Sequence, residues 1–244
     1  MRRLQRWREH RNQIAVIDLG CGTGANMRFL APRLGGRQHW TLVDNDTGLL
    51  DQIRVETSCS LETRCLDIAH HLDAIDFSAF DLVTASALLD LTSKPWQDAL
   101  ANRCRQAEVA LFITLSYDGL MRWRPADRDD ALCRRLMNRH QRTDKGFGPA
   151  LGPRATHHLA ASLRSCGYRV HTGASLWRLD ARHAGLQEAL LAGYAHAARV
   201  IAPAAAARID AWHGRRLGLL PTANFTVGHR DLFAEPGAKR KHQT

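Results

Sequence analysis

The chain has 244 residues, 45% of them hydrophobic and 24% charged, with a formal net charge of +10. That length suits one α/β domain with a modest elaboration and a core that needs neither disulfides nor metal, and the composition excludes wholesale disorder. No apolar run is long enough for a membrane span and no apolar core follows the basic start to make a secretory signal, so the expected location is cytoplasmic.

Residues 14–19 (IAVIDL) read as a buried parallel strand ending in glycines. Residues 26–34 carry a helical pattern in Met27, Phe29, Leu30 and Leu34, stopped by Gly35-Gly36. Residues 38–44 form a second strand, 47–57 a second helix with Leu49, Leu50, Ile53 and Val55 inside, and 60–66 a third strand closed by Asp67. A fourth strand is expected over 80–86, a helix over 95–107 with Pro95 in its first turn, and a β-branched fifth strand over 108–115. Then the rhythm breaks. Residues 127–139 are helical, 141–153 are rich in Gly and Pro, and 156–166 are helical again. A sixth strand covers 168–176, an Ala-rich helix broken near Pro203 covers 183–217, and a last strand covers 223–234. The alternation predicts an α/β fold with a doubly wound, mostly parallel seven-stranded sheet. Helical insertions follow the fifth strand and separate the sixth from the seventh.

The basic excess sits at the two ends. Residues 1–12 hold Arg2, Arg3, Arg6, Arg8 and Arg11 against Glu9, and residues 236–244 hold Lys239, Arg240 and Lys241. Both read as frayed, solvated extensions of a single domain over 13–235. Basic patches also fit nucleic acid, but most of this excess lies outside the domain body. Cys21, Cys59, Cys65, Cys104, Cys133 and Cys166 include no Cys-x-x-Cys pair and read as reduced, buried thiols. His70-His71 and His157-His158 lack structural zinc spacing, so no metal is expected.

The strongest signal is Val16-Ile-Asp-Leu-Gly-Cys-Gly-Thr-Gly-Ala-Asn26. Three alternate glycines join the first strand to the first helix and open the helix start toward a ligand. Ligands of open α/β sheets bind at this carboxyl edge. Gly20, Gly22 and Ala25 also satisfy the looser dinucleotide pattern, so the glycines alone leave two cofactor classes open. Asp18 tips the balance, because a carboxylate there can meet an ammonium but repels a pyrophosphate. Gly24 and the third carboxylate, Asp67, add to it.

Asp18, Gly20, Gly22, Gly24, Asp44 and Asp67, in this order, resemble the class I S-adenosylmethionine-dependent methyltransferases over residues 14–116. By that resemblance, Asp18, Gly20, Cys21, Gly22 and Gly24 surround the methionine end of S-adenosylmethionine. Asp44, with Asn45 beside it, meets the ribose hydroxyls, since a carboxylate accepts two hydrogen bonds at once. Asp67 and Ile68 lie beside the adenine, and Ser86, Ala87 and Leu88 line cofactor and substrate. Structural readings stand beside these. Asp18 can brace the loop, Asp44 can cap the helix near Thr47, and Asp67 can be purely structural.

Methyl transfer from a sulfonium is an in-line displacement that gains much from alignment, and it needs a base only when the nucleophile arrives protonated. The fourth-strand exit, Ala85-Ser-Ala-Leu-Leu-Asp90, lacks the Asn/Asp-Pro-Pro-aromatic motif of amide and adenine methyltransferases. It resembles small-molecule enzymes, and the acceptor atom is expected to be O or N. Asp90 is substrate-facing, a cap or a surface residue. Tyr117, within Ser116-Tyr-Asp-Gly119, is an aromatic wall, a hydrogen-bond donor or part of a turn. Residues 120–153 are expected to form a substrate lid, with His140 as candidate base and Arg139, Arg142 or Lys145 as partners for an acidic acceptor. The 183–217 insertion completes the pocket or makes a homodimer face. Alternatives are an RNA or protein methyltransferase, a non-catalytic cofactor-binding protein of the same fold, or a nicotinamide-linked enzyme.

Overall fold

A computed structural model describes residues 1–54 and 59–237. Strands β1 (Gln13–Leu19), β2 (Arg37–Asp44), β3 (Ser60–Cys65), β4 (Leu82–Ser86), β5 (Ala110–Arg124), β6 (Tyr168–Leu179) and β7 (Asn224–Pro236) make one sheet in the order β3-β2-β1-β4-β5-β7-β6. All neighbours are parallel except β7, which runs antiparallel to both β5 and β6. β1 is central because it is apolar on both faces. Ile17 and Leu19 belong to one core with α4 (Lys94–Ala107) and α6 (Ala155–Ser165), while Ile14 and Val16 belong to a second core with α2 (Ala25–Leu34). The α/β, doubly wound fold expected from the sequence is the fold observed.

Four local expectations are corrected. The N-terminal basic segment is not a frayed tail: α1 (Arg2–Glu9) docks Leu4 and Trp7 into the second core, and buried Arg8 donates to the carbonyls of Gly35 (3.1 Å) and Arg37 (3.3 Å). Amphipathic spacing outweighed the charge. The basic C-terminal residues Lys239, Arg240 and Lys241 lie outside the described residues. The 47–57 helix is a single turn, α3 (Thr47–Leu50); Val55 lies outside the described residues. Of the thiols, Cys21, Cys104 and Cys133 are buried, but Cys65 is exposed and Cys59 and Cys166 are half-buried; all six are free.

The fourth correction concerns the insertions. β5 does not stop at residue 115 but runs to Arg124, pairing with β7 through Arg124↔Asn224, with irregular register between Ile113 and Met121. Residues 120–124 of the expected lid are therefore strand. This extension carries a third core, in which α5 (Asp130–His140), α7 (Ala184–Ile201) and α8 (Ala206–Gly218) pack on the protruding sheet. Trp123 stacks on Phe225 at 4.1 Å and meets Trp212 edge-on at 5.5 Å. Around it, Asp127, Asp129 and Asp130 before and at the start of α5 are held by Arg208, Arg215 and Arg216 of α8. The two insertions thus form one helical cap, and much of the apolar side of 183–217 is covered within the chain. Among the described residues no helix is long and apolar enough to cross a membrane.

Candidate active site

The carboxyl ends of β1, β2 and β4 meet at the glycine loop. Gly20, Gly22 and Gly24 have φ of 63°, 54° and 79°, the left-handed region that side chains disfavour. A Cβ on Gly22 would meet nothing within 4 Å, so this stretch of backbone is open to a ligand. Gly24 caps α2, whose first turn directs free N–H groups at the same edge.

Asp18 is completely buried beneath the loop. One oxygen accepts from Asn26 Nδ2 at 2.8 Å; the other has no partner. Asn26 also donates to Thr84 Oγ1 (3.0 Å), which donates to the Phe112 carbonyl (2.8 Å). Burial pushes the Asp18 pKa up to about 7, partly offset by the Asn26 hydrogen bond. An unpartnered buried carboxylate oxygen is costly, and a ligand ammonium is a group that would satisfy it. Burial likewise pushes the Cys21 thiol up to about 12, which makes it a wall rather than a nucleophile.

Asp44 takes the Gly22 N–H (2.8 Å) on one oxygen and the Asp46 N–H (3.1 Å) on the other, and each oxygen keeps acceptor capacity. The helix-capping role falls to Asp46, which accepts from Gly48 and Leu49 N–H, so Asp44 does not cap α3. Asn45 is exposed beside it. Asp67 accepts from Ala69 N–H (2.9 Å) and pairs with His70 Nδ1 (2.9 Å); the His70 hydrogen bond leads in holding its carboxyl below the usual range. Ile68 is buried in the first core, and its carbonyl accepts from Trp96 Nε1 at 2.7 Å. A cavity of about 790 Å³ opens beside this corner, lined by His70, Trp96 and Phe147 among others.

Ser86 ends β4 and Ala87, exposed, follows with φ of 55°, a strained value for a residue with a side chain. Leu88 then approaches the glycine loop, 3.2 Å from where a Gly20 Cβ would sit. Buried Asp90 lies in the next turn, Leu89–Leu91, and gives that turn no side-chain cap. Its oxygens accept from Tyr117 N–H and Gln141 Nε2, both at 3.4 Å, and burial pushes its pKa up to about 6.

The loop after α5 is pinned over the same exit. Ala150 bridges to Ser93, Leu151 N–H donates to the Thr92 carbonyl (2.9 Å), and Phe147 meets Trp96 edge-on at 5.4 Å. Of the expected 120–153 lid, residues 125–129 and 141–151 are loop, and 141–151 is an anchored wall. Tyr117 is buried, and its hydroxyl donates to Asn138 Oδ1 at 2.8 Å; burial raises its pKa further, so it is no base. His140, half-buried at the end of α5, has both ring nitrogens 3.4 Å from Lys145 Nζ. Burial first, then the Lys145 charge, lowers its pKa and keeps it neutral and proton-accepting at pH 7. Sequence reading missed the roles of Asn26 and Thr84, whereas Asn138 and Gln141 lie in the 138–149 stretch expected to select substrate. The available signal was a polar residue in an apolar strand, Thr84, and one at the start of a largely apolar helix, Asn26.

Residues 16–107 match the methyltransferase domain family. No curated protein matches the chain. Among solved structures, the chain is similar to a methyltransferase of Bacillus halodurans at 10% identity, covering 97% of this chain and 98% of that one with a TM-score of 0.56. It is similar to the cyclopropane synthase MmaA2 of Mycobacterium tuberculosis at 12% identity, covering 92% and 79%, TM-score 0.51. It is also similar to the mycolic acid cyclopropane synthase CmaA1 complexed with S-adenosylhomocysteine, at 11% identity, covering 91% and 79%, TM-score 0.50. At these identities the structural likeness speaks to the fold alone. The match over residues 16–107 marks that segment as a methyltransferase domain, and the chain as a whole has the Rossmann-like fold of the similar structures.

Proposed function

We propose that the enzyme methylates an O or N atom of a small-molecule acceptor in the chamber between the β4 exit, β5 and the 141–151 loop. The observation that carries this reading is the hydrogen-bonded group of Asp90, Tyr117, Asn138 and Gln141, with His140 next to Gln141 in the chain, built on the turn and strand that follow Leu88 at the glycine loop.

The residues fit the cofactor. Asp18's unpartnered oxygen, with Gly20, Cys21, Gly22 and Gly24 above it, would hold the methionine end. Asp44 and Asn45 would take the ribose, Asp67 and Ile68 the adenine, and Ser86 and Ala87 would line the methyl side. S-adenosylmethionine supplies an activated methyl group when bound. His140 would accept the acceptor's proton, Tyr117 would hold Asn138 in position, and Lys145, which forms no ion pair among the described residues, would attract an acidic group. The RNA alternative loses its main support. α1 packs near the start of β2, at the amino edge of the sheet and away from the glycine loop. The expected setting is the cytoplasm, and a homodimer remains part of the reading for solution study.

The test is methyl-labelled S-adenosylmethionine incubated with a panel of small amines and hydroxy compounds, with bulk RNA and protein alongside. Label in a small molecule, falling by about 10²–10⁴-fold in His140→Ala, is the expected result. Label in RNA or protein instead overturns the reading.

A further inference from the structure

Asp90 stands out among the site's groups. It is 5% exposed, yet no cation among the described residues pairs with it. Its partners are its own backbone N–H, that of Tyr117 and Gln141 Nε2, the last two at 3.4 Å, and none of them is a cation. A structural carboxylate is held by an ion pair or a cap; a buried one without either is costly. Its location is informative as well. The turn that carries it follows strained Ala87, and Leu88, two residues before Asp90, leans on the glycine loop, which holds this turn at the edge of the cofactor site. The ionisable groups on the elements packed round it are Tyr117, Asp118, Arg122 and Arg124 of β5, Arg154 of the turn before α6, and His157, His158 and Arg164 of α6, with His140 and Lys145 on either side of Gln141 in the chain. None of these is a partner of the carboxylate.

The cofactor and its product differ at one charge: the sulfonium is cationic, and the thioether left after transfer is neutral. Asp18 and Asp44 would address the ammonium and ribose that both molecules share. We propose that Asp90 is the anionic wall opposite the sulfonium, the residue that makes the enzyme prefer S-adenosylmethionine over S-adenosylhomocysteine. The preference then depends on Asp90 being ionised. Burial keeps it largely protonated at mildly acidic pH, so the preference grows as pH rises through about 6. The ratio of the two affinities isolates this group, because the pH effect of Asp18 is common to both ligands.

The experiment is calorimetric titration of each ligand into the full chain at about pH 5.5 and about pH 7.5, with wild type, Asp90→Asn and Asp90→Ser. The wild-type ratio of dissociation constants, product over cofactor, should rise about threefold between the two pH values, for a shift of about one pKa unit on binding the cation. Both variants should bind the product nearly as wild type does and show a flat ratio. The proposal is overturned if the wild-type ratio is flat, or if either variant keeps the rise. Binding of neither ligand to folded wild type would instead remove the cofactor assignment itself.

Discussion

Replacing Asp18 with Asn should make the ligand-free protein more stable and the cofactor site worse. The carboxyl ionises near 3.8 in the unfolded chain and near 7 in the fold, because burial opposes its charge. Between those pH values the folded state binds the extra proton, so the contribution of this group to stability falls as pH rises and is fully lost above 7. The difference amounts to about 4 kcal/mol. The amide of Asp18→Asn would carry no charge and would keep an oxygen for Asn26, but its hydrogens would lack a partner, a cost of about 1–3 kcal/mol. The net expectation near pH 8 is a gain of about 1–3 kcal/mol, vanishing or reversing near pH 4.5. Urea unfolding at both pH values measures it. In the same variant, affinity for S-adenosylhomocysteine should fall about 10–100-fold, the worth of one charge-assisted hydrogen bond. A stability difference between variant and wild type that does not change with pH would refute the reasoning.

Three other perturbations follow from the packing. Arg216→Ala removes a wholly buried guanidinium that holds Asp130 and the Pro125 carbonyl (2.8 Å), and should cost about 3–5 kcal/mol in denaturant unfolding; a loss under 1 kcal/mol would deny the clamp its role. Tyr117→Phe leaves Asn138 without its hydroxyl donor and should cost about 1–3 kcal/mol, while leaving affinity for S-adenosylhomocysteine intact by calorimetry. Deleting residues 1–12 strips Leu4 and Trp7 from the second core, and should lower stability by about 3–5 kcal/mol while sparing methyl-donor chemistry; an unchanged melting temperature would restore the frayed-tail reading.

Much of the fold was legible because its signals are local. The run at 14–19 and the β-branched fifth strand carry their burial in their composition, and glycines at 20, 22 and 24 mark a turn that only one kind of backbone makes cheaply. The carboxylates at 18 and 44 were readable as a site because strand ends in a parallel sheet must converge. What escaped depends on partners far apart in sequence. The extension of β5 to Arg124 is stabilised by β7, about a hundred residues later, and residues 116–124 alone look like turn and loop. The clamp needed Asp127, Asp129 and Asp130 to be matched with Arg208, Arg215 and Arg216 before either charge cluster had meaning. α1 was misread because arginine count was weighed above the spacing of Leu4 and Trp7. Asp90 stayed ambiguous between cap and site until its turn was seen to receive no cap from it.

The central claim, a cofactor site built on Asp18, the glycine loop and Asp44, is tested most directly by titrating S-adenosylhomocysteine into wild type and Asp44→Ala. The account predicts one site per chain in the wild type, weakened at least about 100-fold in the variant, which loses two ribose hydrogen bonds to a charged acceptor. No binding by folded wild type, or equal binding by the variant, would contradict it.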